Sequence, residues 1–216
     1  MDILIGKQAP AGRLTTTQYP ASYATEFDFM DMGLRPNGSN PGQTYIWYTG
    51  EPVYQFGDGL FYTTFNESAS TSNNSKSFDL KTLVSAAHPG YAYIEQVPFL
   101  NFSATVKNSG TVASPYTFMV FANTTNAGPA PYPNKWLVGF DRLATITPGA
   151  SSTLNIEIPL GSLARVDESG DKVLYPGNYE LALNNERSVV MGFEFTGSPV
   201  VLEKWPMEEQ QVLKSA

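Results

Sequence analysis

The chain has 216 residues, and its 13 Phe, 12 Tyr, 16 Pro and 18 Gly with only 15% charged residues are typical of an all-β, extracellular-type domain. It has one His, no Cys and a net charge of −7, which excludes disulfides, Cys-ligated zinc and multi-histidine metal sites and argues against a nucleic-acid partner, because phosphate binding needs a basic surface. No apolar run approaches the roughly 20 residues of a membrane-spanning helix, so we expect no membrane partner.

The first part of the chain, residues 1–65, is rich in glycine, proline and aromatic side chains. Met1–Lys7 lacks the basic start and cleavage site of a signal peptide, and its pattern indicates the last turn of a helix capped by Gly6. Thr15–Gln18 and Thr44–Tyr48 are rich in β-branched and aromatic residues and are predicted strands. One helical turn and two strands cannot bury a core alone, so we interpret this part as the remnant of a larger α/β domain.

The apolar side chains of this first part would be buried in a complete α/β domain. Where that domain is incomplete, they must pack on a neighbouring unit or stay exposed. We therefore expect Thr44–Phe65 to dock on the rest of the chain, with Trp47 or Phe61 in contact with it. Ile3 and Ile5 are expected to make few long-range contacts.

The second part, residues 66–90, is predicted to be a polar linker. Glu67–Ser77 has Ser, Thr or Asn at nearly every position, which is typical of a flexible loop and of a site of early proteolysis. His88 lies at the end of this part, in a turn. A catalytic role would need a positioned partner that the neighbouring sequence does not supply, so we favour a solvent-facing loop histidine.

The third part, residues 91–206, alternates apolar and polar side chains in short segments that turns such as Pro148-Gly149 separate. The alternating segments are Leu100–Val106, Tyr116–Ala122, Trp136–Ile146, Leu154–Ile158, Tyr179–Leu183 and Val189–Phe195. With a further strand expected near Tyr91–Val97, about seven strands predict a mainly β fold of the β-sandwich type. Residues 207–216 form a polar tail.

Two groups of acidic residues are candidates for chemistry. Glu51 and Asp58 flank an aromatic segment and could be the two carboxylates that sugar hydrolysis uses, but we favour Asp58 as a turn residue between two glycines. The acidic loop Asp167–Asp171 could hold Ca²⁺, yet it lacks the ligand spacing of an EF-hand, so we favour a solvated hairpin tip. We therefore predict no catalytic, metal-binding or cofactor-binding residues, and no cofactor.

Five Asn-X-Ser/Thr sequons are candidates for N-glycosylation, a modification of secreted proteins. They are Asn37, Asn66, Asn73, Asn101 and Asn123.

Several longer motifs resemble glycoside hydrolase family 3, and its fungal β-xylosidase branch in particular. Gly6–Leu14, Asn40–Tyr45 and Tyr48–Tyr54 are similar to the end of the α/β-sandwich domain of that family. Phe56–Phe65 (FGDGLFYTTF) resembles its junction into a C-terminal fibronectin type III-like domain, within which Pro133–Phe140 also agrees. The resemblance extends over nearly the whole chain.

The resemblance implies an α/β-sandwich remnant at residues 1–65, a linker at 66–90, a fibronectin type III-like, immunoglobulin-like β-sandwich at 91–206 and a tail at 207–216. Enzymes of this branch are retaining exo-β-xylosidases, whose aspartate nucleophile and glutamate acid/base lie in earlier stretches that nothing in this sequence matches. Asp58 also departs from the family, which usually has His or an aromatic residue between these glycines.

The resemblance therefore implies the non-catalytic C-terminal portion of a secreted, extracellular exo-β-xylosidase, inactive alone, that stabilises the catalytic domains of an enzyme acting on xylo-oligosaccharides or xylan. The alternative is a free-standing fibronectin type III-like module, with a structural or carbohydrate-interaction role and no activity. The sequence alone does not fix the oligomeric state.

Overall fold

The computed structural model describes residues 1–28, 30–71, 75–86 and 88–206, so the predicted tail at 207–216 and the sequon asparagine Asn73 lie outside the described residues. Its strands are β1 (Phe65–Thr71), β2 (Ser77–Asp79), β3 (Pro98–Asn108), β4 (Ser114–Thr124), β5 (Trp136–Ile146), β6 (Ser151–Pro159), β7 (Arg165–Val166), β8 (Lys172–Leu174), β9 (Gly177–Leu183), β10 (Val190–Thr196) and β11 (Val200–Glu203). The short helices are α1 (Tyr23–Glu26), α2 (Thr44–Trp47) and α3 (Leu80–Ser85), and 3₁₀ turns span Ile94–Gln96 and Leu160–Leu163.

Two sheets face each other across the core. One has the strand order β1-β3-β6 and the other β2-β10-β9-β4-β5, and a small sheet β11-β8-β7 closes one end. The pairing is antiparallel except between β2 and β10, with Phe102 opposite Ile156 and Ala122 opposite Leu181. The mainly β, β-sandwich fold predicted from the alternation is confirmed.

The core lies between the two inner faces because apolar side chains recur at every second position of each strand. Phe102, Phe118 and Leu181 are fully buried. The largest fully buried side chains are aromatic. Among them, Tyr179 stacks on Phe193 with ring centroids 5.5 Å apart. Burial raises the pKa of the Tyr179 hydroxyl well above its ordinary value, although that hydroxyl donates to the Tyr175 carbonyl oxygen.

The prediction of a polar linker at residues 66–90 is wrong where the chain forms β1, β2 and α3. Strand β1 pairs along its whole length with β3, and its exposed positions, Asn66, Ser68 and Ser70, are polar. Helix α3 begins after Asp79, whose carboxylate accepts a hydrogen bond from the Thr82 backbone N–H at 2.8 Å. Its first residue, Leu80, is 0% exposed and belongs to the core.

Three predicted strands are not strands. Near Tyr91–Val97 the chain forms a 3₁₀ turn, since the Gln96 and Val97 N–H groups bond to carbonyls three residues earlier. Thr15–Gln18 contributes a single bridge, from Gln18 to Tyr54. Thr44–Tyr48 forms the short helix α2 and its C-cap. Tyr45 stacks on Phe56 and Tyr48 packs edge-on against Tyr19, and these contacts outweigh the strand propensity of the aromatic residues.

The first seven residues have the geometry expected of a helix end. Gly6 has φ +74°, the left-handed conformation of a helix cap. The Gly6 N–H donates to the Ile3 carbonyl and the Lys7 N–H to the Asp2 carbonyl, which is the hydrogen-bond pattern of a Schellman motif. None of the helices in the described ranges is long and apolar enough to cross a membrane.

Candidate docking interface

Residues 1–62, which we call the N-terminal layer, lie against the outer face of the five-stranded sheet. The β4 side chains that point away from the core contact this layer. Thr117 Oγ1 donates to the Ala11 carbonyl at 2.7 Å. The Phe121 ring packs edge-on against the rings of Tyr45 and Phe56, with ring centroids 6.0 and 6.2 Å apart. Tyr45 and Phe56 also stack on each other at 4.1 Å. The inner side of the layer is therefore a packed interface.

Arg13 is the charged anchor of this interface, with only 4% of its side chain exposed. Its guanidinium donates to the carbonyls of Thr117 and Gly57, both at 3.3 Å, and to the Tyr116 hydroxyl at 3.4 Å. It also lies over the rings of Phe61 and Tyr116, at 5.2 and 5.6 Å from their centroids. Burial lowers the pKa of Arg13, and nearby carboxylates oppose that shift. Because its guanidinium bonds to Thr117 and Tyr116, this one cation joins the layer to β4.

Asp58 is part of the same interface and is not placed as a catalytic acid or base. Its carboxylate accepts from the Gln55 backbone N–H at 2.8 Å and from the Asn185 side-chain amide at 2.7 Å. Asn185 in turn accepts from Lys135 Nζ at 2.6 Å. The interpretation of Asp58 as a turn residue is confirmed. Glu51, the other candidate carboxylate, is an exposed loop residue.

A second contact pins the far end of the layer. Arg165 donates to the carbonyl oxygens of Ala127, Pro129 and Pro131 at 2.5, 2.8 and 2.9 Å, which fixes the proline-rich loop between β4 and β5. Burial lowers the pKa of Arg165, as does the positive charge of Arg35. Arg35 of the layer donates to the Val166 carbonyl at 3.2 Å. The hydrogen bond of Arg35 thus joins the layer to β7 of the small sheet.

The remaining titratable candidates have structural partners. His88 is half-buried, and its Nε2 lies 2.9 Å from the Leu83 carbonyl oxygen at the end of α3, so it is not fully solvent-facing as expected. Asp167 accepts from the backbone N–H groups of Ser169 and Asp171 at 2.8 and 3.0 Å, and its loop is the tip of the β7–β8 hairpin, as predicted. Within the described ranges, no group of three or more acidic or histidine side chains could hold a metal ion.

The four described sequon asparagines occupy different surroundings. Asn66 on β1 and Asn101 on β3 are exposed. Asn37 is exposed in a turn of the layer, where its backbone bonds to that of Asn40. Asn123 on β4 is half-buried.

A groove of about 420 Å³ runs between β5 and β6. Its lining includes the aromatic ring of Phe140, 69% exposed, and the polar side chains of Asp141, Asn155 and Glu157. An aromatic face beside polar groups is the surface that a carbohydrate-interaction module would use. The sequence does not single out these residues, because one exposed Phe in a strand gives no pattern.

Many large apolar side chains of the N-terminal layer are exposed. Met30, Leu60 and Met32 are 83%, 82% and 79% exposed. We define the outer apolar surface as the exposed large apolar residues of the layer: Met1, Ile3, Leu4, Ile5, Met30, Met32, Leu34, Val53, Tyr54, Leu60 and Tyr62. Groups of exposed apolar side chains of this kind mark interaction surfaces.

The expected contact of Phe61 with the rest of the chain is confirmed. Phe61 stacks on Tyr116 of the sandwich with ring centroids 5.2 Å apart. Ile3 and Ile5 are 46% and 55% exposed. The layer therefore packs on the β-sandwich through some of its side chains and leaves other large apolar side chains exposed.

The sandwich and its topology define a class first: the family model described as "Fibronectin type III-like domain" matches residues 117–186. Over its whole length the chain corresponds to the C-terminal portion of exo-1,4-β-xylosidases of glycoside hydrolase family 3, as the resemblance implied. It is 62% identical to a probable exo-1,4-β-xylosidase of Aspergillus terreus, with 100% of this chain and 27% of the relative covered. It is 60% identical to the exo-1,4-β-xylosidase of Aspergillus oryzae, covering 98% of this chain and 27% of that protein.

Solved structures agree with this correspondence. A GH3 exo-β-xylosidase in complex with a xylobiose aziridine activity-based probe matches with a TM-score of 0.88 and 56% identity, covering 97% of this chain and 27% of that one. A β-D-glucoside glucohydrolase from Trichoderma reesei matches with a TM-score of 0.65 at 22% identity, covering 90% of this chain and 28% of that one, which shows a shared fold alone. The chain spans about a quarter of the length of the relatives it matches.

Proposed function

We propose that this chain is the non-catalytic C-terminal portion of a secreted, retaining exo-β-xylosidase, and that it docks on and stabilises the catalytic part of that enzyme. The observation that carries the proposal is the 62% identity that runs through the entire chain to a probable exo-1,4-β-xylosidase. The xylobiose aziridine probe bound by a solved relative supports xylo-oligosaccharides as the substrate class of the whole enzyme. By resemblance to the family, the reaction passes through a covalent glycosyl-enzyme intermediate.

The chemistry is assigned to the catalytic part because Glu51 and Asp58 do not form a catalytic pair. Retaining hydrolysis needs two carboxyl groups about 5–5.5 Å apart on either side of the sugar. The Asp58 carboxylate accepts hydrogen bonds from the Gln55 backbone N–H within a turn and from the Asn185 side chain. Glu51 is an exposed loop residue. We therefore expect this chain alone to be inactive.

The stabilising role follows from the two faces of the N-terminal layer. Its inner face is held on the sandwich by Arg13 and by aromatic stacking, so the layer is already ordered before a partner binds. Its outer apolar surface remains available, and burying one large apolar side chain contributes about 1.5–3 kcal/mol. A rigid apolar surface of this kind binds a partner without a large ordering cost.

Secretion is supported by the sequons, since N-linked glycans are added in the secretory pathway. An extracellular location also fits an enzyme that acts on xylan, which lies outside the cell.

The proposed function is tested with an aryl β-xyloside as substrate. The purified chain should release no nitrophenol, whereas deleting the matching quarter from the exo-1,4-β-xylosidase of Aspergillus oryzae should lower both the melting temperature and the activity of that enzyme. Activity of the isolated chain that scales with its concentration and is lost in Glu51→Gln or Asp58→Asn would refute the assignment. A truncated enzyme of unchanged melting temperature would refute the stabilising role.

A further inference from the structure

The two outer faces of the β-sandwich have opposite chemistry. The N-terminal layer covers the outer face of the five-stranded sheet at β4, through Thr117 and Phe121. The outer face of the sheet β1-β3-β6, which we call the polar face, presents the outward residues of its three strands: Asn66, Ser68, Ser70, Asn101, Ser103, Thr105, Lys107, Ser151, Thr153, Asn155 and Glu157. Because all of these described residues are polar or charged, the polar face is suited to water and not to protein packing.

These outward residues form a continuous grid. The strand register places Ser68, Thr105 and Thr153 side by side, and Ser70, Ser103 and Asn155 in the next row. The hydroxyls of Thr105 and Thr153 lie 2.7 Å apart. The grid therefore follows from strand pairing, which fixes the direction of each side chain along the sheet.

Two of the sequons lie within this grid. Because side chains alternate along a strand, the first and third residues of an Asn-X-Ser sequence point to the same side. Asn66 with Ser68, and Asn101 with Ser103, both face outward. The middle residues face inward: Phe102 is fully buried.

The inward-facing middle residue of the first sequon is equally well placed. Glu67 accepts hydrogen bonds from Asn184, at 3.0 Å, and from Ser188. A glycan attached to Asn66 or Asn101 would project into solvent and leave these contacts in place.

The sequon at Asn123 has the opposite geometry. Its side chain lies on the same side of β4 as Phe121, whose ring contacts Tyr45 of the N-terminal layer. With its amide oriented to suit both neighbours, it donates to a Glu180 carboxylate oxygen at 3.3 Å and accepts from the Arg187 guanidinium at 3.2 Å. A glycan here would replace one of the two amide hydrogens beside Glu180 and crowd a half-buried position.

We propose that Asn66 and Asn101 are N-glycosylation sites, that Asn123 is not, and that the two glycans keep the polar face permanently in solvent. The inference rests on the proposed secretion of the enzyme. It also defines which side of the sandwich faces the catalytic part. The catalytic part binds on the side of the N-terminal layer, and the glycans on Asn66 and Asn101 lie on the opposite side of the sandwich.

The test is site-resolved glycan mapping of the full 216-residue chain, secreted from yeast behind an added cleavable signal sequence. N-glycosidase converts each modified Asn to Asp, so peptide mass spectrometry reads occupancy at each site. We expect modification of Asn66 and Asn101 and an unmodified Asn123. Because the added signal sequence forces the chain through the secretory pathway, the result does not depend on whether the natural enzyme is secreted, nor on xylosidase activity.

Matched variants separate lost modification from lost folding. Ser68→Ala and Ser103→Ala keep each asparagine but destroy its sequon, and each should remove one glycan without lowering the yield of folded protein. Asn123→Gln should leave the glycan mass unchanged. An unmodified Asn66 or Asn101 in the folded, secreted chain, or a glycan on Asn123, overturns the proposal.

Discussion

At the scale of single residues, a buried cation fastens two parts of the molecule mainly through neutral acceptors. Arg13 donates hydrogen bonds to the carbonyls of Thr117 and Gly57 and to the Tyr116 hydroxyl. Its guanidinium lies over the rings of Phe61 and Tyr116. Its carboxylate neighbour Glu186 is 3.7 Å away and largely exposed. Such an arrangement depends on residues about 100 positions apart along the chain, and a lone arginine in the sequence gives no sign of it.

Replacing Arg13 by Met should therefore be costly. The variant leaves buried carbonyl oxygens without donors, and one lost charged hydrogen bond of this kind costs about 1.5–3 kcal/mol. Urea unfolding of the full chain measures the change in the free energy of unfolding. The matched control, Arg142→Met at an exposed position of β5, should stay within about 0.5 kcal/mol. Equal effects of the two substitutions would mean that Arg13 does not anchor the layer.

Glu67 gives a pH-dependent prediction. Burial raises its pKa, helped by the negative charge of Glu186, while hydrogen bonds from Ser188 and Asn184 and the charge of Arg13 oppose the shift. A carboxyl whose pKa is raised on folding contributes stability below its unfolded pKa, about 4.3, and that contribution is lost as the pH rises through the folded value. Ionised Glu67 therefore destabilises the native state near neutral pH.

The variant Glu67→Gln isolates this effect. The melting temperature of the variant minus that of the wild type should be more positive at pH 7 than at pH 4, since only the wild type loses the contribution of Glu67 across that interval. Other titrating groups cancel in the difference. Thermal unfolding followed by circular dichroism at the two pH values measures it, and a difference that is constant or becomes more negative at pH 7 would show that the burial of Glu67 carries no penalty.

At the scale of secondary structure, the sequence predicts those strands whose apolar residues alternate over several positions. β5 spans the predicted Trp136–Ile146, and β3, β4, β6, β9 and β10 coincide with the other predicted segments. β1 escapes prediction because small polar residues occupy its outward positions and the pairing with β3 is made by backbone groups. α2 is mispredicted because aromatic residues favour strands in general, whereas here Tyr45 is held by stacking on Phe56, further along the chain.

The segment predicted to be a linker offers a direct check at this scale. Leu80 of α3 is fully buried in the core, so Leu80→Ala should lower the free energy of unfolding by about 2–5 kcal/mol. The neighbouring Lys81→Ala, at an exposed position, should change it by less than about 0.5 kcal/mol. Chemical denaturation of both variants measures this, and a flexible linker would give two equally small changes.

At the scale of the whole molecule, the two outer faces of the β-sandwich differ. The N-terminal layer packs on one of them at β4, and the other is the polar face. The resemblance in sequence predicts the family and the role, but not the docking interface. The residues that form that interface, including Arg13, Asn185 and Arg35, act through backbone carbonyls and loops that have no sequence signature.

The central claim is that the outer apolar surface binds the catalytic part of an exo-1,4-β-xylosidase. Two separate chains are expressed in the same cells. One is this chain with an affinity tag, and the other is the Aspergillus terreus relative without its matching final quarter. Co-purification detects the complex, and sedimentation then measures its stoichiometry. We predict a one-to-one complex that hydrolyses an aryl β-xyloside. The surface variant Met32→Glu/Leu60→Glu should weaken the complex at least about tenfold, a loss of about 1.4 kcal/mol, because two charges would be buried without partners.

The matched control places the same charges on the polar face, as Ser68→Glu/Thr153→Glu, and should leave the affinity unchanged. Circular dichroism of each variant confirms that it is folded. A one-to-one complex lost only in Met32→Glu/Leu60→Glu is the predicted result; failure of the two folded chains to associate, or equal weakening by the polar-face variant, would contradict the claim.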